Sequence, residues 1–464
     1  MEESVTSAQE TAVVQSASPD SRVGVVEKLS YGVGSFAEQM VFNPATSFIV
    51  FFYTDIAGLA AATVGAILLF SRVFDLLNPV MGLMVDRTQT RLGKGRPWLL
   101  WMAVPFGIST VLLFTAPSLS PMGKAIYAFV TYNLALAIIF PAIDIPYTAM
   151  LPLITPDQHQ RTLLSLFRMV LQSVGGLVSF GMTLAMVSYF GGGAKGWNRS
   201  FVVFGVIGTV LLLVCFAGTR ERIKPDSSEE AKVPVKQAMA AVFRNKYCML
   251  LCLLLIALFI MLGLLGSNIY YCRSVLGNVA LMAPLMIAYQ VSVISGMVSI
   301  GPLVKRLGKR NAALWGIAVA ILGQAIMFAA PASLPVVFLG TILKGLGGSP
   351  LMGTLFAMAA DAIEYGDWKL GIRAGGFVFG TMALVTKVAI GVGNAMVGFI
   401  LGLTGYVAGA TVQTHATQLA IKAMFLHLPL LMFVFMGLIL LGYDLDRRYS
   451  SIAAELQVRR SAAS

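Results

Sequence analysis

Charge is scarce in this sequence: Asp, Glu, Lys and Arg together supply 12% of 464 residues, against about 25% in an average soluble domain. With 57% hydrophobic residues and a mean hydropathy of +0.81, that shortage excludes a soluble globular protein. Histidine is rarer still, and His159, His415 and His427 lie apart with no ligand spacing. The four cysteines, Cys215, Cys248, Cys252 and Cys272, sit in or beside apolar runs without metal spacing and read as small buried hydrophobes. Neither a disulfide framework nor a His/Cys metal centre is expected. "GVGSFA" at 32–37 has no strand-turn-helix around it, and "GLGGSP" at 345–350 lacks the Lys-Ser/Thr of a phosphate loop. No organic cofactor is expected. No clustered nucleophile and base stand out either, which argues against an enzyme. The first 27 residues lack an apolar core followed by a cleavage site, so they read as a cytoplasmic tail. Uninterrupted stretches such as "CMLLCLLLIALFIMLGLL" contradict the short alternating segments of a β-barrel.

What the sequence does have is apolar runs of about 20 residues, each able to cross a hydrocarbon core ~30 Å thick at ~1.5 Å rise per residue. They predict an all-α membrane protein, with spans near 30–53, 59–85, 97–117, 124–151, 163–190, 200–218, 247–272, 279–304, 312–331, 334–361, 375–402 and 417–443. The loops after the even-numbered spans carry "DRTQTRLGKGR", "TPDQHQR", "RERIKPDSSEEAKVPVK", "KRLGKRN" and "DWKLGIR". The opposite side has little beyond Lys124, Lys195, Arg199 and Arg273, so both termini are expected in the cytoplasm. Clustering in short loops also explains the net charge of +12 without a nucleic-acid partner. The formal sequon "NRS" at 198–200 falls in an outer loop.

The polar stretch 219–246 divides the twelve spans into six-helix halves, 28–218 and 247–446, followed by a tail at 447–464. "RLGK" occurs at 91–94 after the second span and at 306–309 after the eighth. Equivalent placement in each half suggests two homologous halves around a central pathway, the architecture of transporters built from repeats.

A charge near mid-bilayer costs at least ~2.5–3.5 kcal/mol, so it normally pairs or lines a cavity. Arg72, Asp75, Asp144, Arg168, Lys344 and Lys387 are embedded in spans, with Glu38 and Asp361 placed nearer to ends. Arg72 and Asp75 are i,i+3 neighbours, and a structural ion pair is one reading. A coupling-cation site is the other. Pro79 lacks the N–H that would bond the Asp75 carbonyl, so that carbonyl, the Asp75 carboxylate and the Asn78 amide oxygen offer hard donors to Na+. A proton would need Asp75 alone.

"RVFDLLNP" with "DRTQTRLGKGRPWLL", "DIPYTAMLP", "DAIEYGDWKLGIR" and Lys387 together resemble the glycoside-pentoside-hexuronide cation symporters, the melibiose permease family of the major facilitator superfamily. The likeness runs from Lys28 to about Asp446. It implies that Arg72, Asp75 and Asn78 match the cation motif, with Pro79 where a second carboxylate stands in the family. It also implies sugar-binding roles at Gln39 (a carboxylate in the family), Asp144, Thr148 (a Trp in melibiose permease), Arg168 and Lys387.

Asp144 can accept hydrogen bonds from adjacent sugar hydroxyls, with Thr148 on the same helix face; pairing with Arg168 for stability is the alternative. Tyr132 and Tyr147 offer a sugar-stacking surface or simply packing. Asp75 and Asp144 are outnumbered by Arg72, Arg168 and Lys387, which favours an anionic ligand such as a hexuronide or sulfated sugar. Asp86, Arg87, Arg91, Lys94 and Arg96 face Asp361, Glu364, Asp367 and Arg373 across the inner mouth, either as a gate or as topology-setting charge. The expected function is symport of a carbohydrate with Na+ or H+ by a monomer in a plasma or bacterial inner membrane. An amphiphilic or other organic acid solute, or an uncoupled facilitator or receptor, is the alternative.

Overall fold

Backbone groups within a bilayer must bond internally, so apolar runs become helices. The computed structural model describes residues 23–223, 239, 242–371, 375–410, 412–446, 448, 449, 451, 452, 455 and 456. Residues 1–22 of the expected tail, most of the linker 219–246, much of the tail 447–464, and Arg373 lie outside the described residues, as do the side chains of Pro79 and Asp86.

Helix α1, Val25–Phe51, is prolonged by a π turn at Phe52–Ile56. Helix α2, Ala61–Phe70, passes through a 3-10 stretch, Ser71–Leu77, into α3, Asn78–Arg87. Then come α4, Arg96–Leu113, and α5, Pro121–Tyr132, which runs through a π segment at Asn133–Ile139 into α6, Phe140–Ala149. Helices α7, Gln158–Tyr189, and α8, Gly193–Gly218, end the first half. The second half starts with α9, Lys246–Gly263, a 3-10 turn at Leu264–Ser267 and α10, Asn268–Ser274. It continues with α11, Met282–Ala329, α12, Leu334–Leu370, and α13, Gly375–Leu403. It closes with α14, His415–Lys422, a π turn at Ala423–His427, and α15, Leu428–Leu441. No strand occurs among the described residues.

Nine described stretches are long and apolar enough to cross a membrane. One of them is Val279–Ala329, where α11 breaks only at Gly308 (φ +79°), so the loop expected between 304 and 312 is a sharp turn between two helical arms. Helix α1 and the 61–87 rod are of comparable length but more polar, because they carry Glu27, Lys28 and Glu38, and Arg72 and Asp75.

The "RLGK" repeat has a structural counterpart. Gly93 and Gly308 both take the positive φ that favours glycine, at +113° and +79°. In the first half Arg96 donates through Nη2 to the Phe216 carbonyl at 2.9 Å, while the N–H groups of Lys94, Gly95 and Arg96 converge on the Glu221 carboxylate at 2.7–2.8 Å. In the second, Arg310 donates to the carbonyls of Leu440 and Leu441, and its N–H meets Asp446 Oδ2 at 2.7 Å. Each half thus ties its basic turn to a carboxylate after its last helix.

Helices in a bilayer gain little from hydrophobic association and rely on close packing. Between the halves, α2 meets α13 through small residues: a β-carbon on Gly65 would lie 2.9 Å from the Phe399 nitrogen and 3.0 Å from the Ala395 carbonyl. Stacked rings of Phe114, Trp197 and Phe201 fill the first half near the Asp55 end, opposite residues 23 and 446.

Candidate functional site

Two polar clusters interrupt the apolar interior. The first sits where α2 gives way to the 3-10 stretch. Arg72 Nη1 is 3.1 Å from Asp75 Oδ2, its Nη2 donates to the Tyr132 hydroxyl at 2.8 Å, and its Nε donates to the Leu68 carbonyl at 3.3 Å. Asp75 is 4% exposed, and Arg72 and Lys387 of the other half are the cations within electrostatic reach. The guanidinium stem crosses the bare face of Gly391 on α13, where a β-carbon would come 1.9 Å from Arg72 Cδ. Asn78 Oδ1 is buried with no hydrogen-bond partner among the described residues.

This geometry corrects one sequence expectation. The Asp75 carbonyl is not left unbonded by Pro79, because the chain tightens to 3-10 pairing and the Asn78 N–H donates to it. Pro79 then stands in the first turn of α3, where a missing N–H is harmless. Carboxylate and amide oxygens remain as donors to a cation, and the carbonyl keeps its second lone pair.

The second cluster joins α1, α6 and α7. Arg168 donates through Nε to Ser35 Oγ at 3.1 Å, through Nη1 to Thr148 Oγ1 at 3.0 Å and through Nη2 to Asp144 Oδ1 at 3.3 Å. Its guanidinium lies 4.7 Å from the Tyr147 ring centroid, a cation–π contact. Pro141 and Pro146 shape this approach: the helix loosens to π pairing before Phe140, and α6 restarts with Pro141 in its first turn. Asp144 retains 30% of its side-chain exposure and Thr148 is exposed, so both are open to a solute. Gln39 is half-buried, packed against Gly175 of α7.

Neither tyrosine presents a free stacking face. Tyr147 is fully buried, stacked on Tyr31 at 4.7 Å and covered by Arg168. Tyr132 belongs with Arg72 in the first cluster. Glu38, expected nearer a helix end, sits near the middle of α1 beside Asp144 and Arg168. Lys344 is also buried, between the rings of Tyr289 and Phe425 at 5.7 and 5.2 Å, in a small cavity that Asn268 helps line.

Of the charges expected to meet across the inner mouth, two are engaged within the second half: Asp361 pairs with Lys309, and Glu364 accepts from the Tyr449 hydroxyl at 2.6 Å. Arg96 is held by Phe216, while Arg87 and Arg91 are exposed. The described latch between halves lies at the other end. Asp55 meets Arg273, accepts from the Tyr406 hydroxyl at 2.9 and 3.0 Å and from the Gly409 N–H at 3.3 Å, and Thr54 bonds Tyr270 at 2.8 Å. Sequence reasoning passed over this latch, although Asp55 is the one carboxylate among the short loops of that end.

Residues 30–447 match the family described as MFS/sugar transport protein. An isoprimeverose transporter of Lactiplantibacillus pentosus is 33% identical over 94% of this chain and 92% of its own length. A putative glycoside/cation symporter, YagG, of Escherichia coli K12 is likewise 33% identical, over 94% of this chain and 95% of its own. Among solved structures, the nucleoside transporter NupG superposes with a TM-score of 0.62 at 13% identity, covering 88% of this chain and 98% of that one, which speaks for the fold alone. The symporter resemblance read from the motifs is thereby borne out, and the relatives are transporters rather than enzymes.

Proposed function

The chain belongs to the family of MFS/sugar transport proteins, and from that membership we propose that it carries a sugar, glycoside or anionic sugar derivative by cation-coupled symport. The observation that carries the reading is the separation of two polar clusters by task. Arg168, Asp144 and Thr148 form a partly open set of hydroxyl- and anion-binding groups, with Gln39 nearby. Arg72, Asp75 and Asn78 form a closed set at the seam where the first half meets Gly391 and Lys387 of the second. A cation at the seam changes the charge between the halves, so its arrival biases how they rock.

The donor set fits Na+: the Asp75 carboxylate is buried, and Asn78 Oδ1 is a buried oxygen lacking a partner. When bound, Na+ would supply positive charge offsetting Asp75 and drawing on the sodium gradient; a proton would do the same on Asp75 alone. Arg168 in the open cluster supplies the cation that a solute with an acidic group would meet, while Asp144 accepts from hydroxyls. On this reading the chain crosses the plasma or bacterial inner membrane twelve times with both termini cytoplasmic. The Asp55 latch then closes the outer mouth and the cytoplasmic charge set guards the inner one.

Uptake by the full chain in proteoliposomes tests this, with isoprimeverose, a neutral β-glycoside and a glucuronide offered under imposed Na+ or H+ gradients. Accumulation of one solute against its gradient, driven by one ion and lost in Asp75→Asn, is expected. Unchanged uptake and ion dependence in Asp75→Asn would overturn the coupling assignment. Pro79, standing where the family has a second carboxylate, favours one other reading, an uncoupled facilitator, which would equilibrate solute without accumulating it.

A further inference from the structure

We propose that Glu38 is a second ion site of this carrier, one that takes a proton and hands it across the membrane in step with the solute. The inference rests on the symport reading but concerns a residue outside the Arg72–Asp75 seam. Glu38 stands near the middle of α1 and is 3% exposed. Its Oε1 is sealed from solvent with no hydrogen-bond partner, and no ion pair reaches it among the described residues. A carboxylate left that way is among the costliest groups a protein can bury, whereas the neutral acid is tolerated.

The surroundings make the same case. The titratable and charged groups facing Glu38 are Tyr31 on α1, Asp144 and Tyr147 on α6, Arg168 on α7 and Cys215 on α8. Arg168 is the one cation in that set, and each of its three nitrogens is already engaged, with Ser35, Thr148 and Asp144. Two carboxylates therefore share one guanidinium. Asp144 holds the ion pair and retains contact with solvent. Glu38 has neither and holds the proton, the division expected when two nearby carboxyls differ in environment.

The same geometry links proton and solute. With Glu38 protonated, Arg168 stays with Ser35, Thr148 and Asp144, and the solute site is formed. Once the solute has crossed and left, the guanidinium turns toward Glu38, which releases its proton to water on that side and becomes the paired anion. The empty carrier returns in this form, and Glu38 takes up a proton on the first side before the next solute binds. One proton thus crosses with each solute.

Infrared difference spectroscopy of the full chain in liposomes tests this without any solute. A carbonyl stretch from a protonated, buried carboxyl is expected near neutral pH in the wild type and absent in Glu38→Gln; its persistence in that variant would overturn the proposal. Should Glu38→Gln fail to fold, dicyclohexylcarbodiimide, which modifies protonated carboxyls in apolar surroundings, is applied to the wild type and the adducts are mapped by mass spectrometry. Modification at Glu38 that slows as pH rises supports the proposal, and modification of other carboxyls with Glu38 untouched refutes it. A third arm drives isoprimeverose uptake with an inward proton gradient: severalfold acceleration in the wild type and none in Glu38→Gln is expected, and equal acceleration in both refutes the assignment. Absence of isoprimeverose uptake in the wild type would count against the choice of solute, and the infrared arm would still decide Glu38.

Discussion

Asp55 and Arg273, 218 residues apart in the chain, close one end of the molecule as an ion pair between the two halves. The carboxylate is 3% exposed and the guanidinium 28%, with Tyr406 and the Gly409 N–H completing the cage. Breaking a buried pair on one side costs about 3–5 kcal/mol, and the partial exposure of Arg273 brings that down to roughly 1–3 kcal/mol. Asp55→Asn is therefore expected to shift the balance between end-closed and end-open forms by about ten- to a hundredfold. Spin labels placed on α1 and α10 near this end would report the distance distribution. An unchanged distribution in Asp55→Asn would show that small-residue packing of α2 on α13, rather than the ion pair, holds the end shut.

Gly391 makes a different prediction, about coupling. Its missing side chain gives Arg72 the room to reach Asp75 and Tyr132 at once. Gly391→Ala overpacks that seam by about 1–3 kcal/mol and forces the guanidinium aside. Cation affinity is expected to fall about tenfold or more, since that energy is taken from the arrangement that holds Asp75. Ion titration of uptake measures it; an unaltered ion dependence would mean that Arg72 position is irrelevant to cation binding.

These two sites differ in how far the sequence revealed them. Arg72, Asp75 and Asn78 were legible because an ion pair within an apolar run is costly and the i,i+3 spacing is local. Arg168 and Asp144 were legible as isolated intramembrane charges with a resemblance behind them. The 3-10 bond from Asn78 to the Asp75 carbonyl was not, since proline shows which hydrogen bond is lost but not how the chain re-pairs. Glu38 was misplaced toward a helix end, because span boundaries drawn by hydropathy start at residue 30 whereas the helix begins at Val25. The Asp55 latch depends on which helix ends meet across the halves, and apolar periodicity carries no information on that. The twin "RLGK" turns were legible as letters, while their shared carboxylate anchors at Glu221 and Asp446 lie far along the chain.

Asp444 gives a pH-dependent prediction outside the spans. It accepts from the Tyr247 hydroxyl at 2.7 Å and pairs with Lys246 and Arg448. The Tyr247 hydrogen bond, seconded by those cations, holds its carboxyl below the usual value. A folded-state value lower than the unfolded one, about 3.9, stabilises the protein above that pH and ceases to do so as pH falls through the folded value. Because a third of the side chain is exposed, the contribution is under about 1 kcal/mol. Asp444→Asn is thus expected to melt slightly lower than wild type at pH 5–8, with the difference vanishing well below pH 4. A gap that persists in acid would point to lost packing instead of charge.

Glu221 and Asp446 test whether the two halves are built alike. Glu221 takes the N–H groups of Lys94, Gly95 and Arg96, and a β-carbon on Gly93 would stand 2.6 Å from its carboxyl carbon. Asp446 takes the Arg310 N–H and faces Gly308 at a looser 3.5 Å. Hydrogen bonds to a charged acceptor contribute about 1.5–3 kcal/mol each at most when sealed from water, and less at a half-exposed site. Neutralising Glu221 to Gln weakens several such bonds together, whereas Asp446→Asn touches one. The two substitutions are therefore expected to lower the melting temperature in the same direction but unequally, with Glu221→Gln the more damaging by about 1–2 kcal/mol. Equal effects would mean that the anchors act through charge alone, and opposite effects would mean that the shared letters of the two turns do not reflect a shared structural role.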